Sequence, residues 1–447
     1  MHYTDKHIFA RGGGAHRVIH HADGIYCYDV EGKRYIDGRG GALVVNIGHG
    51  VKEIFDAAVN QMQLVCFSHS FHWTNIPHMQ LAQKISEMAP RGMSKVFMVS
   101  GGSEATESAL KLARKYHVER GKPSKYKVIS RWNSYHGNTL GALSMTGMFS
   151  RRKDYLPLLS DFPHIPPCNC YHCPFEKEYP ACGILCAKEL EKAIQREGAD
   201  SIAGFIAEPI VGNTAGAVTP PPEYFPIVRK ICDRYDVLLI ADEIITGFGR
   251  TGKNFAVDHW GVIPDIICTG KGMGSGYSPL GALIIHDKIS QVFDQTSKTF
   301  DNGFTYAGNP LTCAIGIAVL DYMERNELIR NVETLSPYFF KKAEELSSLE
   351  IVGEVRGKGF LMGIEFVKDK TTREPFPPED RVGPKIAEIA FSKGLATSGM
   401  QGCIDGIRGD YISLGPPFIC TSSDLDAIIE ITKDSIVEFQ NSLKREG

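Results

Sequence analysis

The chain has 447 residues, of which 43% are hydrophobic and 23% charged, and its formal net charge is -3 at pH 7. This balance is typical of a globular protein and excludes the basic surface on which nucleic-acid binding depends. The N terminus lacks an apolar signal segment, and no run reaches the roughly 20 apolar residues of a membrane span. We therefore expect a cytoplasmic protein with neither nucleic acid nor membrane as a partner. Because one hydrophobic core stops growing well below this length, we expect two domains.

The first predicted elements form an N-terminal segment. Alternating side chains at 26–37 predict a hairpin, and the glycines at 38–50 predict a loop that approaches a ligand or another backbone closely. A helical period follows at 53–63. The stretch FSHSFHWTN at 67–75 then mixes aromatic and polar side chains, which is typical of a pocket wall and equally of core packing at a wet edge.

The middle of the chain alternates between strand and helix patterns. Predicted strands lie at 95–99, 127–130, 202–207, 237–241, 266–268 and 280–285, and predicted helices at 103–120, 187–197 and 224–235. This alternation predicts an α/β fold whose mostly parallel sheet is covered on both faces. In such sheets the ligand lies beyond the carboxyl ends of the strands, and that is where the polar motifs fall.

After residue 309 the pattern changes to a smaller α+β unit. Helices are predicted at 311–323, 328–346, 383–392 and 424–443, and strands at 351–355 and 360–367. We expect residues 1–60 to pack with this unit, 61–310 to form the large domain and 311–447 to form the small one.

Lys271 lies at the end of a short apolar strand and enters a glycine-rich turn, in the sequence PDIICTGKGMGSG. A lysine held there is costly unless its amine has a partner or a chemical role. The alternative is a loop lysine whose amine reaches water.

Two stretches could bind phosphate. In SGGSEA, at 100–105, glycines precede a helix that Ser103 opens, and free amides at a helix start bind phosphate; a simple N-cap is the alternative. In GFGRTGK, at 247–253, the spacing is that of a P-loop. However, Asn254 stands where the magnesium-binding hydroxyl should be, and two acidic residues precede the loop, so we consider a nucleotide triphosphatase a remote alternative.

Asp242 ends the apolar run VLLIAD, and a buried acid at this edge needs a cationic or proton-donating partner. A pyridinium nitrogen is such a partner. Tyr135, shortly after another strand, offers a ring that can stack on a flat cofactor. Together with Lys271 and the glycine-rich helix start, these residues are the parts of a pyridoxal phosphate site.

The sequence resembles the class III aminotransferases, which are pyridoxal-phosphate enzymes of fold type I. The resemblance covers nearly the whole chain. It rests on SGGSEA at 100–105, SYHG at 134–137, AEPI at 207–210, ADEIITGFGRTG at 241–252, TGKGM at 269–273 and FTYAGNP at 304–310. It implies a large domain with a mostly parallel seven-stranded sheet, a smaller α+β domain, and a homodimer whose subunits share their active sites.

The resemblance also assigns roles. Lys271 would form the Schiff base and act as general base, Asp242 would keep the ring nitrogen protonated, and Tyr135 would stack on the ring. The implied cofactor-binding residues are Gly102, Ser103, Tyr135, His136, Glu208, Asp242, Ile244, Lys271 and, from the second subunit, Thr305.

The substrate prediction depends on departures from other branches of the family. Ornithine, acetylornithine and 4-aminobutyrate enzymes carry an arginine where this chain has Ser413, and the arginine of acetylornithine enzymes after the YHG motif is replaced by Asn138. The chain is more similar to the branch that transfers amino groups from ω-amino acids or amines to pyruvate. Arg408 is then the candidate for the substrate carboxylate, and a solvent-facing arginine is the alternative. The predicted substrate-binding residues are Leu43, Phe71, His72, Trp73 and Arg408.

We therefore predict a ping-pong aminotransferase that uses small-molecule amines and keto acids, with a racemase or decarboxylase of the same fold as the alternative. The cysteine-rich stretch CNCYHCPFEKEYPACGILC, at 168–186, has no role in this chemistry. Its five cysteines and His172 suit either zinc or a cluster, or else reduced thiols that pack a loop. We predict no metal site.

Overall fold

The computed structural model describes residues 7–9 and 17–446 of the chain. The rest of the predicted N-terminal segment, residues 1–6 and 10–16, lies outside the described residues. Within residues 7–9 and 17–446, no helix combines the length and hydrophobicity of a membrane span.

The N-terminal segment contains the predicted hairpin and the predicted helix. Its elements are β1 (Ile19–Asp23), β2 (Tyr26–Asp29), β3 (Arg34–Asp37), α1 (Gly40–Leu43), α2 (Lys52–Leu64) and α3 (Ile76–Met88). The sequence prediction missed α3, although Asn75 caps it by accepting a hydrogen bond from the amide of His78, and a proline occupies its first turn. These are recognised signals of a helix start.

The central part of the chain supplies one seven-stranded sheet and the helices that cover it. Its elements are β4 (Lys95–Val99), α4 (Gly102–Glu119), β5 (Lys127–Arg131), α5 (Leu140–Met145), α6 (Phe149–Arg152), β6 (His164–Ile165), α7 (Leu185–Glu197), β7 (Ile202–Ala207), α8 (Tyr224–Tyr235), β8 (Leu238–Asp242), β9 (Ile266–Thr269), β10 (Gly281–Ile285) and α9 (Asp287–Gln295). The strand order is β4-β10-β9-β8-β7-β5-β6. Only β10 is antiparallel to its neighbours, which confirms the predicted mostly parallel sheet.

The continuous apolar runs of this sheet are explained by burial on both faces. Every residue of β7, β8, β9 and β10 is buried. A parallel sheet covered by helices has no solvent face, so its strands lack the alternation of polar and apolar residues. Because β5, β7, β8 and β9 run in parallel, the residues that follow them meet at one edge of the sheet.

The C-terminal part forms an α+β unit around a second sheet. Its elements are α10 (Pro310–Arg325), α11 (Leu328–Glu344), β11 (Val352–Lys358), β12 (Leu361–Phe366), α12 (Val382–Ser392), β13 (Leu395–Ala396), β14 (Ser398–Gln401), β15 (Asp410–Leu414) and α13 (Ser422–Glu446). The sheet has the order β11-β12-β15-β14, while β13 pairs in parallel with β3 of the N-terminal segment. The domain boundaries at residues 60 and 310 stay a prediction.

The P-loop alternative finds no support in the local structure. Lys253, which would have to face a triphosphate, forms an ion pair with Glu333 of α11 at 2.6 Å. The segment that follows is a short 3-10 helix, Ala256–Trp260. A P-loop instead leads directly into a long helix whose first turn binds phosphate.

Candidate active site

Lys271 is separated from the end of β9 by Gly270 and begins a short 3-10 helix, Lys271–Met273. Its backbone has a φ of 40°, in the left-handed region that residues with a side chain rarely adopt. Burial lowers the pKa of the Lys271 amine to about 8, while the nearby Asp242 carboxylate acts in the opposite direction. The chain therefore holds a reactive amine at the edge of the sheet, in a strained backbone conformation.

Asp242, the last residue of β8, is buried and held by two hydrogen bonds. Its Oδ2 lies 2.8 Å from Nδ1 of His136, and its Oδ1 accepts a hydrogen bond from the amide of Ile244 at 3.2 Å. The other ring nitrogen of His136, Nε2, is buried without a hydrogen-bond partner among the described residues. A buried carboxylate fixed in this way is suited to hold a proton on a basic nitrogen.

The start of α4 is an open helix terminus. Its N-cap residue, Gly101, is extended, and no side chain caps the helix. A Cβ atom at Gly102 would lie 2.9 Å from Cδ1 of Ile244, so a larger residue would displace that side chain. The hydroxyl of Ser103 accepts a hydrogen bond from the amide of Asn138 at 3.0 Å, which ties the loop after β5 to this helix start. The first amides of α4 are therefore available for an anion.

Glu208 follows β7 and closes the site on a third side. Burial raises its pKa to about 7. Its carboxylate accepts hydrogen bonds from the amides of Tyr135 at 3.4 Å and Gly212 at 3.3 Å. Tyr135, Ile244 and Lys271 are all only partly buried, in contrast to Glu208. The partly exposed side chains thus mark the open side of the site.

The structure places the other predicted residues elsewhere. Phe71 and Trp73 are 85% and 71% exposed, and His72 and Thr305 are exposed as well. Trp73 lines an open groove on the surface, and the roles of these four residues stay predictions.

Leu43 and Arg408 also differ from the expected arrangement. Leu43 is buried in a small cluster with Ile210, Ala217 and Leu361, which favours a packing role over that of a pocket wall. The Arg408 guanidinium bonds Asp405 three residues away at 2.7 Å, and its side chain is 58% exposed. This is the solvent-facing arrangement given as the alternative for Arg408, whose contact with substrate stays a prediction.

Arg39 was missed by the sequence prediction. Its Nε donates to the Ser413 hydroxyl at 2.8 Å, and its NH2 group donates to the Asn213 side-chain oxygen. These partners come from distant parts of the chain, so spacing alone could not reveal the contact. The available signal was an arginine inside the glycine-rich stretch RGGAL.

The five cysteines of the 168–186 stretch surround one small cavity. Among the described residues, the group with three possible metal-ligand atoms within 4.8 Å of one another is Cys27, Asp37 and His49, which includes none of these five thiols. Cys168 is buried beside Arg131, whose guanidinium donates to its sulfur at 3.0 Å. Cys168 thus has a packing contact, and the absence of a metal at this stretch stays a prediction.

The site fits pyridoxal phosphate in four respects. Lys271 supplies the amine, and buried Asp242, held by Nδ1 of His136, supplies the acid for the ring nitrogen. The start of α4 offers open amides, and Tyr135 offers a partly exposed ring. The fold and the site together define a pyridoxal-phosphate-dependent transferase of fold type I.

Comparison with known proteins gives the family. The aminotransferase class-III family profile matches residues 8–436. The chain is 36% identical to a putrescine–pyruvate aminotransferase of Pseudomonas aeruginosa, covering 96% of this chain and 92% of the relative. It is 35% identical to a diaminobutyrate–2-oxoglutarate transaminase of Halomonas elongata, covering 99% and 95%.

Solved structures support the same family. An amine transaminase from an uncultivated Pseudomonas species, in its pyridoxal-phosphate-bound form, superimposes with a TM-score of 0.92 at 32% identity, covering 97% of this chain and 99% of the other. The chain belongs to the class III aminotransferases, and it is a pyridoxal-phosphate-dependent aminotransferase.

Proposed function

We propose that the enzyme transfers an amino group from an ω-amino acid or amine to a keto acid, with pyruvate as the acceptor, in two half reactions. The observation that carries this proposal is the meeting of Lys271, the Asp242–His136 pair and the open start of α4 at one edge of the sheet. One amine, one buried acid and one anion site are the minimum set for this chemistry.

Pyridoxal phosphate, when bound, supplies a ring that accepts electrons from the carbon atom bearing the amino group. The Asp242 carboxylate, fixed by His136, would keep the ring nitrogen of this cofactor protonated. Lys271, with its lowered pKa, has a larger neutral fraction near pH 7 than an ordinary lysine and can accept and return a proton. The amides of Gly102 and Ser103 would hold the phosphate, together with Thr305 of a second copy.

The choice of substrates rests on two supports. Ser413 replaces the arginine of the branches that use ornithine, acetylornithine or 4-aminobutyrate, and one relative is named for putrescine and pyruvate. The other relative is named for 2-oxoglutarate, so both acceptors are compared in the experiment.

We also propose a homodimer. Exposed apolar side chains gather on α2, α3 and the segment between them: Leu64, Val65, Phe67, Phe71, Trp73, Ile76 and Met79. Several of these residues line a groove of about 760 Å³. Large exposed apolar patches mark interfaces, and a second copy seated here would cover Phe71 and Trp73.

The function is tested with the cofactor-loaded protein and a panel of diamines, arylalkylamines and ω-amino acids. Each donor is paired with pyruvate or 2-oxoglutarate, and the amino acid formed is measured by chromatography. We expect alanine from pyruvate with at least one donor, no product from Lys271→Ala, and full product from Lys253→Ala. Lys253 is the matched control because it belongs to the P-loop-like stretch and pairs with Glu333.

Other products would contradict the proposal. Glutamate formed only from 2-oxoglutarate would show that pyruvate is the wrong acceptor, while transamination itself would stand. Release of carbon dioxide or loss of optical activity without any keto acid would favour a decarboxylase or racemase. Magnesium-dependent ATP hydrolysis that survives Lys271→Ala would favour the nucleotide triphosphatase.

A further inference from the structure

Arg39 is a buried cation whose hydrogen-bond partners are all neutral. It is 7% exposed, and its guanidinium donates to the side chains of Ser413 and Asn213 and, at 3.4 Å, to the carbonyl of Gly41. A guanidinium has five N–H donors, so these contacts leave donors unused. The partners orient the planar group without neutralising it.

The missing counter-ion distinguishes Arg39 from a structural ion pair. No carboxylate within residues 7–9 and 17–446 lies within ion-pair distance of it, whereas the equally buried Arg356 pairs with Glu354 and Glu365. A buried charge without an ion-pair partner is costly, and a bound anion would offset that cost. Arg250 also lacks a carboxylate partner, but it is fully enclosed by carbonyl groups and the Phe418 ring.

The position of Arg39 connects it to the reacting amine. Its positive charge is one of those that lower the pKa of Lys271. Asn213 follows Gly212, whose amide bonds the Glu208 carboxylate at the closed side of the site. The guanidinium is therefore near enough to Lys271 for the two charges to interact, and it bonds the loop that follows Glu208.

The surrounding contacts hold Arg39 in place from both sides. Asp37 accepts a hydrogen bond from the amide of Gly41 at 2.8 Å and contacts His49 at 3.2 Å, which fixes the loop that carries the arginine. On the other side, the Tyr411 hydroxyl donates to the Asn213 carbonyl at 2.7 Å. Such supported geometry is what a preorganised binding residue requires.

We propose that Arg39 binds the carboxylate of the keto acid. It would take over the role of the arginine that other branches of the family carry at the position of Ser413. This inference rests on the proposed function and adds a specificity-determining residue to it. A guanidinium binds a carboxylate through two parallel hydrogen bonds, so it favours keto acids and amino acids over plain amines and aldehydes. Ser413 and Asn213 act as positioning residues.

The two half reactions can be measured separately, and only the second uses a substrate with a carboxylate. A role of Arg39 in carboxylate binding can therefore be distinguished from a role in the chemical steps. The first is followed by the loss of visible cofactor absorbance with a donor that has no carboxylate, such as a diamine. The second is followed with pyruvate. Loss of the Arg39 charge alters the pKa of Lys271 in both half reactions, so the two are compared with each other. For Arg39→Met we expect kcat/KM for pyruvate to fall roughly tenfold to a hundredfold more than the rate of the first half reaction, mostly through KM. Arg39→Lys should recover part of the loss, and the surface variant Arg330→Met is the matched control.

Propionate gives a second measurement, because it has the carboxylate but cannot react. Its inhibition constant should rise by the same factor in Arg39→Met, while inhibition by propanol should not change. Equal pyruvate kinetics in Arg39→Met and the parent enzyme would overturn the proposal, as would a loss that appears in Arg408→Met instead. Loss of both half reactions, with cofactor still bound, would show a structural role only. An inactive parent enzyme would refute the proposed function and not this inference.

Discussion

At the scale of single residues, the site depends on one lysine in a strained conformation. A φ of 40° at Lys271 costs free energy that glycine would avoid, and the structure retains it beside the buried Asp242. The glycines on either side permit this geometry because they impose no Cβ of their own. Strained residues of this kind are common at active sites, which agrees with the role proposed for Lys271.

The lowered pKa of Lys271 predicts how the cofactor-free enzyme takes up pyridoxal phosphate. Only a neutral amine attacks an aldehyde, so a pKa of about 8 makes the neutral form predominate above pH 8. The uptake rate, followed by visible absorbance, should rise with pH and level off above about 8. The reference is the reaction of pyridoxal phosphate with acetyl-lysine amide, whose amine has a pKa of about 10.4. It shows how the reactivity of the cofactor itself changes with pH. A rate that rises in parallel with this reference up to pH 10 or so would contradict the prediction.

At the scale of elements, a close backbone contact joins β12 of the C-terminal sheet to the loop after β7. A Cβ at Gly363 of β12 would lie 2.1 Å from the carbonyl oxygen of Gly216. Arg356 reinforces the contact, because it donates to the carbonyls of Ala215 and Gly216 at 2.6 and 2.7 Å. The loop after β7, which carries Asn213, is thereby held against the C-terminal unit.

Gly363→Ala should test this contact. The added methyl group must displace backbone, so we expect the free energy of unfolding to fall by about 1–3 kcal/mol. Urea denaturation of the cofactor-loaded enzyme measures it. Gly303→Ala is the control, since nothing lies within 4 Å of the methyl group there. Equal denaturation midpoints for the two variants would show that the loop after β7 moves to accept the methyl group at little cost in stability.

At the scale of the whole molecule, four of the predicted site residues lie on the surface of the single chain. Phe71, His72, Trp73 and Thr305 lie on the exposed surface, away from enclosure by their own chain. An apolar surface of this size is unfavourable in water unless a second copy covers it. The dimer that we propose would bring these residues to the neighbouring site.

Leu64→Glu should weaken that dimer. Leu64 is 81% exposed on α2, and a buried unpaired carboxylate there would oppose association. Sedimentation velocity should show a dimer for the parent protein and a concentration-dependent shift to monomer for the variant, with reduced cofactor retention. Ile263→Glu, at a residue that is 41% exposed outside the apolar surface, should remain dimeric. A parent protein that sediments as a monomer would refute the dimer.

The sequence by itself determined the order of the elements and the core of the site. Apolar runs mark strands that are buried on both faces, and parallel strands must end at one edge. Asp242 ends a strand, and Lys271 and Tyr135 lie shortly after strands, so the strand pattern predicts that they meet at one edge. Their predicted roles came from their chemistry and from the resemblance to the family.

Only the tertiary structure decided the rest. It joined Arg39 to Ser413 and Asn213, enclosed Leu43 in a packed cluster, and paired Arg408 with Asp405. The Arg39 and Leu43 contacts join distant parts of the chain, so their geometry depends on packing across the whole molecule. The Arg408–Asp405 contact spans three residues, but only the structure shows that the guanidinium takes this partner.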